Sequence, residues 1–240
     1  VSGTGTNEIT INPVNTFAST TQYYVEIDST AFDDSSSNSF AGISDKTSLS
    51  FTSADVVAPT LSSSSPSDNS TNVDVSSDIK LTFSENVDVE SGYITIKKSS
   101  DDSEFEKIDV TSTTQVKGTG TNEIIINPAN TFASTTQYYV QIDSTAFDDS
   151  SSNSFAGISD KTSLSFTSAD IVAPTLSSSS PSDDSTNVDV SSDIKLTFSE
   201  AVDVESGYIT IKKSSDDSEF EKIDVTSSQV TGTGTNEITI

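Results

Sequence analysis

"DIKLTFSENVDVESGYITIK", residues 78–97, decides how the rest of the chain is read. Its apolar residues fall on every second position: Ile79, Leu81 and Phe83, then Ile94 and Ile96 beyond Gly92. A period of two puts those side chains on one face of a strand and Lys80, Thr82 and Thr95 on the other. The stretch returns at 193–212 with one change, Asn86 to Ala201.

The pattern continues outward. "EKIDV" turns Ile108 and Val110 inward, "NEIII" Ile124 and Ile126, "QYYVQI" Tyr138, Val140 and Ile142, and "TSLSF" Leu164 and Phe166. A further strand runs through Leu61, breaks at Pro66 and resumes near Val73 and Val75. About seven antiparallel strands per repeat, with no helical period, predict an all-β chain of immunoglobulin-like sandwiches. With no cysteine in the chain, no disulfide closes them. Tyr138 suits core burial, or the corner hydrogen bond of such sandwiches.

Repetition sets the organisation. "GTGTNEI" occurs at 3–9, 118–124 and 232–238, and residues 1–115 align with 116–229 with few changes. Thr10 becomes Ile125 and Glu26 becomes Gln141, both at outward positions, while inward positions of those strands hold. The Ala-Pro segments after Asp55 and Asp170 favour extended connections, so boundaries fall near Val56 and Ile171. The expected domains are the back part of one repeat (1–55), a whole repeat (56–170) and the front part of a third (171–240).

Charge narrows the partners. Against 37 acidic residues stand 11 basic ones, a formal net charge of −26. Phosphate binding needs a basic face, so nucleic acid is excluded as a partner. No apolar run reaches ~18 residues, so no membrane insertion is expected in this segment. The acidity serves solubility, collects divalent cations, or both.

The stretch "VAPTLSSSSPSDNSTNVDVSSDIKLTFSENV" resembles the opening of the bacterial Ig-like domains related to surface-layer proteins, and "AFDDSSSNSFAG" resembles a later segment of theirs. Ser37 stands where that family commonly has glycine before the asparagine. The resemblance covers every repeat. It implies an exported structural repeat of a large bacterial cell-surface adhesin or extracellular filament, with neighbouring repeats of the same chain as partners.

The loop "STAFDDSSSNSFAGISDK" at 29–46 and 144–161 carries the chemistry. Calcium takes six to eight oxygens at ~2.3–2.6 Å. Asp149, Ser151, Asn153 and Asp160 offer oxygens at relative positions 1, 3, 5 and 12, the spacing of a helix–loop–helix calcium loop, but between strands. The same residues also suit a self-capping turn facing water. In a sandwich this loop lies at the same end as "SENVDVESG", and the preceding repeat arrives there through Asp55. Carboxylates so gathered repel unless a cation neutralises them. The expected calcium ligands are Asp33, Asp34, Asn38 and Asp45 in the first copy. In the second they are Asp55, Glu85, Asp88, Asp148, Asp149, Asn153 and Asp160, and at the next junction Asp170, Glu200 and Asp203. Each Ca²⁺ would stiffen a domain–domain hinge.

The chain has no histidine or cysteine for nucleophilic or imidazole chemistry. "GTGTNE" lacks the lysine and helix of a phosphate loop. No enzyme is expected. The main reading is a calcium-stiffened spacer of an extracellular bacterial surface protein. Two alternatives stay open: a carbohydrate- or surface-binding module using Tyr93 and Tyr139 as outward aromatics, and self-association into filaments by strand complementation between incomplete terminal domains.

Overall fold

The computed structural model describes residues 1–240 and contains strands and turns but no helix. The chain divides into two compact units, Val1–Asp170 and Ile171–Ile240. No helix is long and apolar enough to cross a membrane.

In the first unit, β1 (Gln22–Tyr24) and β2 (Ser50–Thr52) form an antiparallel pair. The central repeat follows with β3 (Leu61–Ser65), β4 (Ser70–Val73), β5 (Ile79–Val89), β6 (Tyr93–Lys98), β7 (Glu104–Asp109), β8 (Val116–Lys117), β9 (Thr121–Ile126), β10 (Gln137–Ile142), β11 (Phe147–Asp148) and β12 (Ser165–Ser168). One sheet has the order β4-β12-β10-β6-β7; the other is β11-β5-β9-β8, with β3 also paired to β5. Counting β3 and β4 as one interrupted strand, and setting aside the two-residue β8 and β11, leaves seven.

Pro66 interrupts the first strand because it has no N–H to give a ladder. The chain therefore changes sheets there: β3 pairs with β5, and β4 pairs with β12. The β4–β12 pair is parallel, Phe166 opposite Ser70 and Ser168 opposite Val73, which corrects the all-antiparallel expectation. All the other pairs are antiparallel.

Alternation closes the core. Ile79, Leu81, Phe83, Ile94, Ile96, Ile108, Val110, Ile124, Ile126, Tyr138, Val140, Ile142, Leu164 and Phe166 are all buried. Phe105, Phe132, Tyr138 and Phe166 form an aromatic cluster with centroids 4.9–5.9 Å apart, mostly edge-on or tilted. Tyr138 has both expected roles: it is buried, and its hydroxyl accepts the Ala133 N–H at 2.9 Å. Tyr139 is not the outward aromatic it was expected to be. It is buried, its hydroxyl donates to Asp102 Oδ1 at 3.0 Å, and Lys161 lies over its ring while pairing with Asp102. Loops on the outer side of β10 cover a position that strand alternation alone leaves open.

In the second unit, β13 (Leu176–Ser180), β14 (Lys195–Val202) and β17 (Thr235–Thr239) make one sheet, and β15 (Tyr208–Lys212) and β16 (Glu219–Asp224) a second.

Replacing Tyr138 by Phe removes the acceptor of the Ala133 N–H and leaves the ring in place. The expected loss is about 1 kcal/mol, read as a fall of about 3 °C in the melting temperature of the first unit.

Candidate metal centre

Asp149 follows β11 and begins a turn it holds closed itself. Its Oδ1 accepts the N–H groups of Ser151 and Asn153, both at 2.8 Å, and its Oδ2 accepts the Asn153 side-chain amide at 2.8 Å. Backbone bonds from Asp149 N–H to Asn153 C=O and from Ser152 N–H to Asp149 C=O finish the turn. Ser152 has φ +64° and Ser37, in the first copy, φ +63°. That left-handed conformation explains why the related family commonly has glycine there.

Glu85 arrives on a bulge of β5. Pairing with β9 passes from Thr82 opposite Glu123 to Val87 opposite Thr121, so four residues of β5 face one of β9. A bulge re-aims the side chains it carries. Asp55 arrives from the preceding segment, where its Oδ1 accepts the Ser19 hydroxyl at 2.8 Å and the Val57 N–H at 3.0 Å. The Asn153 amide reaches the Asp55 carbonyl at 3.4 Å. Ligand oxygens of Asp55, Glu85 and Asp149 come within 4.8 Å of one another. Asp149 is buried, and Asp55 and Glu85 are half-buried.

The electrostatics divide by environment. Burial, then repulsion by Asp149 and Asp55, raises the Glu85 carboxyl above its ordinary value. Burial also works to raise Asp149, but the hydrogen bonds from Asn153 and Ser151 outweigh it and hold its carboxyl below the usual value. At neutral pH the trio is thus a concentration of negative charge in which Glu85 is ionised at a cost to the fold. The donor set is three carboxylates with amide and backbone carbonyls beside them, all hard oxygens, which suits calcium or magnesium. Two oxygens on one calcium lie at most about 5 Å apart, so the observed spacing is within reach of a single ion.

The other expected ligands lie elsewhere. Asp160 is exposed and occupied by Thr162 and Ser163, whose N–H and hydroxyl groups it accepts at 2.7–2.8 Å. Ser151 contributes its N–H to Asp149, so the 1, 3, 5, 12 spacing does not converge on one point. Asp88 and Asp148 face each other across β5 and β11, outside the trio. Asp34 and Asn38 repeat the Asp149 turn and Asp45 the Asp160 turn, all exposed, as is Asp33. Asp170 accepts the Ser134 hydroxyl at 2.8 Å. Glu200, on β14, and Asp203 lie in the second unit.

One feature escaped the sequence reading, and a second was read only at the loop of 144–161. Ser19 fixes Asp55, and nothing marks it among so many serines. The second had a legible signal. Aspartates followed two residues later by Ser or Thr, such as Asp45, Asp74, Asp101, Asp109, Asp160, Asp189, Asp216 and Asp224, each accept that residue's N–H and hydroxyl. These Asx turns hold their carboxyls below the usual value. Much of the acidity is turn chemistry.

A family model described as Bacterial Ig-like domain matches residues 55–168 and again 170–240. The chain belongs to the bacterial Ig-like domain family. Such domains are structural, not enzymatic. Among solved structures the chain is similar to the crystal structure of the S-layer protein rSbsC(31-844), at 12% identity over 75% of this chain and 25% of that one, TM-score 0.32. It is also similar to the N-terminal part of the bacterial S-layer protein SbsC, at 14% identity over 72% of this chain and 39% of that one, TM-score 0.31. The chain thus spans well under half of either, and the family match carries the assignment. No curated protein matches the chain.

The sign of Glu85's effect on stability follows from its raised value. Folded Glu85 holds its proton more tightly than unfolded Glu85, so its contribution is fully present below the ordinary 4.5 and lost as pH rises through the folded value. In chelator, Glu85→Gln is expected to melt higher than the parent at pH 7, with the difference shrinking toward pH ~4. The capped aspartates act oppositely: their stabilisation is present above ~3.9 and is lost in acid. A Glu85→Gln melt equal to the parent's at every pH would remove the repulsion from the account.

Proposed function

We propose that this chain is a spacer repeat of an extracellular bacterial surface protein, and that Ca²⁺ held by Asp55, Glu85 and Asp149 stiffens the entry into the central repeat. The supporting observation is the convergence of a carboxylate from the preceding repeat with two from opposite parts of the next. Near-identical tandem repeats, extended Ala-Pro connections, strong acidity and a structural family all suit an element that holds distance. The adhesin or filament that such a spacer serves is part of the same proposal.

Each residue has a separate task. Asp149 is fixed by its own turn and offers the free lone pairs of a buried carboxylate. Glu85, repelled when ionised alone, gains most from a cation. Asp55 ties the preceding segment to the same ion, with Ser19 fixing its rotamer. Burial of Tyr139 takes away one of the two aromatics on which a sugar-binding reading rested, and Lys107 sits 4.0 Å from the ring centroid of the other, Tyr93.

Calcium at a hundredfold excess over its dissociation constant stabilises by about 2.7 kcal/mol, or roughly 5–10 °C for a unit of this size. The full chain is therefore expected to melt several degrees higher in millimolar calcium than in chelator. Asp149→Asn and Glu85→Gln should each abolish most of that shift, and Asp160→Asn should keep it. Equal melts with and without calcium would end this reading, and a shift lost in Asp160→Asn but kept in Glu85→Gln would move the ion out of the trio.

A further inference from the structure

In the central repeat the part of the first strand beyond Pro66, β4, lies beside β12, the last strand. The two are parallel, with Phe166 opposite Ser70 and Ser168 opposite Val73. The chain enters β4 from the Pro66 side and leaves β12 toward Asp170. In a parallel pair those two points lie at opposite ends. Tension on the chain at Val56 and Ile171 therefore draws β4 and β12 past each other along their length. Their hydrogen bonds stretch together, and none opens until all do. Were the first and last strands antiparallel, entry and exit would share one end, and the same tension would open the bonds one at a time.

The pair is fastened at both ends. At the entering end the Asn69 N–H donates to the Ser165 carbonyl at 2.8 Å. Asp68 Oδ1 accepts the Ser165 N–H at 2.8 Å and its hydroxyl at 3.0 Å. At the leaving end the Ala169 N–H donates to the Val73 carbonyl at 2.7 Å. Ser165 and Ser168 are buried, and Val73 packs on the core. On its other edge β12 is held by β10, from Gln137 opposite Thr167 to Tyr139 opposite Ser165, and Phe166 is set in the aromatic cluster. Asp68 also differs from the aspartates that close their own turns: its partner Ser165 lies 97 positions along the chain.

We propose that β4, β12 and the Asp68 carboxylate form a shear clamp by which the central repeat resists tension along the chain. Tension entering at Val56 meets β3 on β5 first. When β3 gives way, the clamp still joins the front of the repeat directly to its last strand. Asp68 and Ser165 lie outside the carboxylate trio. The clamp therefore works without calcium, and a test in chelator leaves the calcium reading where it stands.

Pulling single molecules of the full chain through pairs of introduced cysteines, in chelator, tests this. The chain has no cysteine of its own, so each pair sets the direction of force. Val56→Cys with Ile171→Cys, both exposed, loads the clamp in shear and leaves residues 1–55 and 172–240 outside the tether. Ser67→Cys with Ser163→Cys, both exposed and beside the Asp68 end, opens the same pair bond by bond. The first pair is expected to need the higher rupture force. Forced rupture follows the unfolding rate. Asp68→Ala, added to the first pair, is expected to raise the rupture rate at a fixed force about tenfold, through loss of hydrogen bonds to a charged acceptor. Asp101→Ala removes bonds of the same kind, from the Ser103 N–H and hydroxyl, in the turn between β6 and β7. It is expected to leave the rupture rate unchanged. Circular dichroism checks that both variants fold, and the comparison of directions needs neither. Equal rupture forces in the two directions would overturn the inference. So would a rupture rate that Asp68→Ala leaves unchanged, or one that Asp101→Ala raises as much.

Discussion

Burial of every second strand residue between two sheets is the constraint on which the rest of the structure depends. The chain has no disulfide, and only 31% of its residues are hydrophobic. That content suffices because it is concentrated at alternating positions of long strands such as β5 and β10. The connections add a few buried residues, such as Phe132, Phe155 and Ile158, and are otherwise polar. The aspartate turns shape those polar parts, each closing on the N–H groups of its own loop.

The same division governs what the sequence showed. Strand alternation is a property of neighbouring residues, so the inward set from Ile79 to Phe166 could be read directly. Sheet membership is not local: the passage of the chain from β5's edge to β12's parallel edge at Pro66 depends on where two distant strands lie. Tyr139 failed for the same reason, since its cover comes from Asp102 and Lys161 in other loops. The carboxylate trio was legible in outline because the topology of an immunoglobulin-like sandwich brings the loops of Glu85 and Asp149 to one end, where Asp55 arrives. Which of the many aspartates stay out of it was decided by turn chemistry, and for Asp45 and Asp160 that signal lay in the Ser or Thr two residues later.

The two copies of one loop separate what the turn does from what its neighbours add. Asp34 and Asp149 make the same hydrogen bonds in the same turn. Asp34 is exposed, whereas Asp149 is buried against Glu85 and Asp55. The turn positions a carboxylate; the neighbours make it a candidate ion site. Asp149 has beside it Glu85 of its own repeat and Asp55 of the preceding segment, and those two carboxylates make the centre.

That contrast supplies its own control in a calcium titration followed by amide chemical shifts of the full chain. The account predicts that Ser151 and Asn153 move together with Asp55 and Glu85 and saturate with one affinity, while Ser36 and Asn38 stay still. Equal movement of both loops, or of neither, would contradict it.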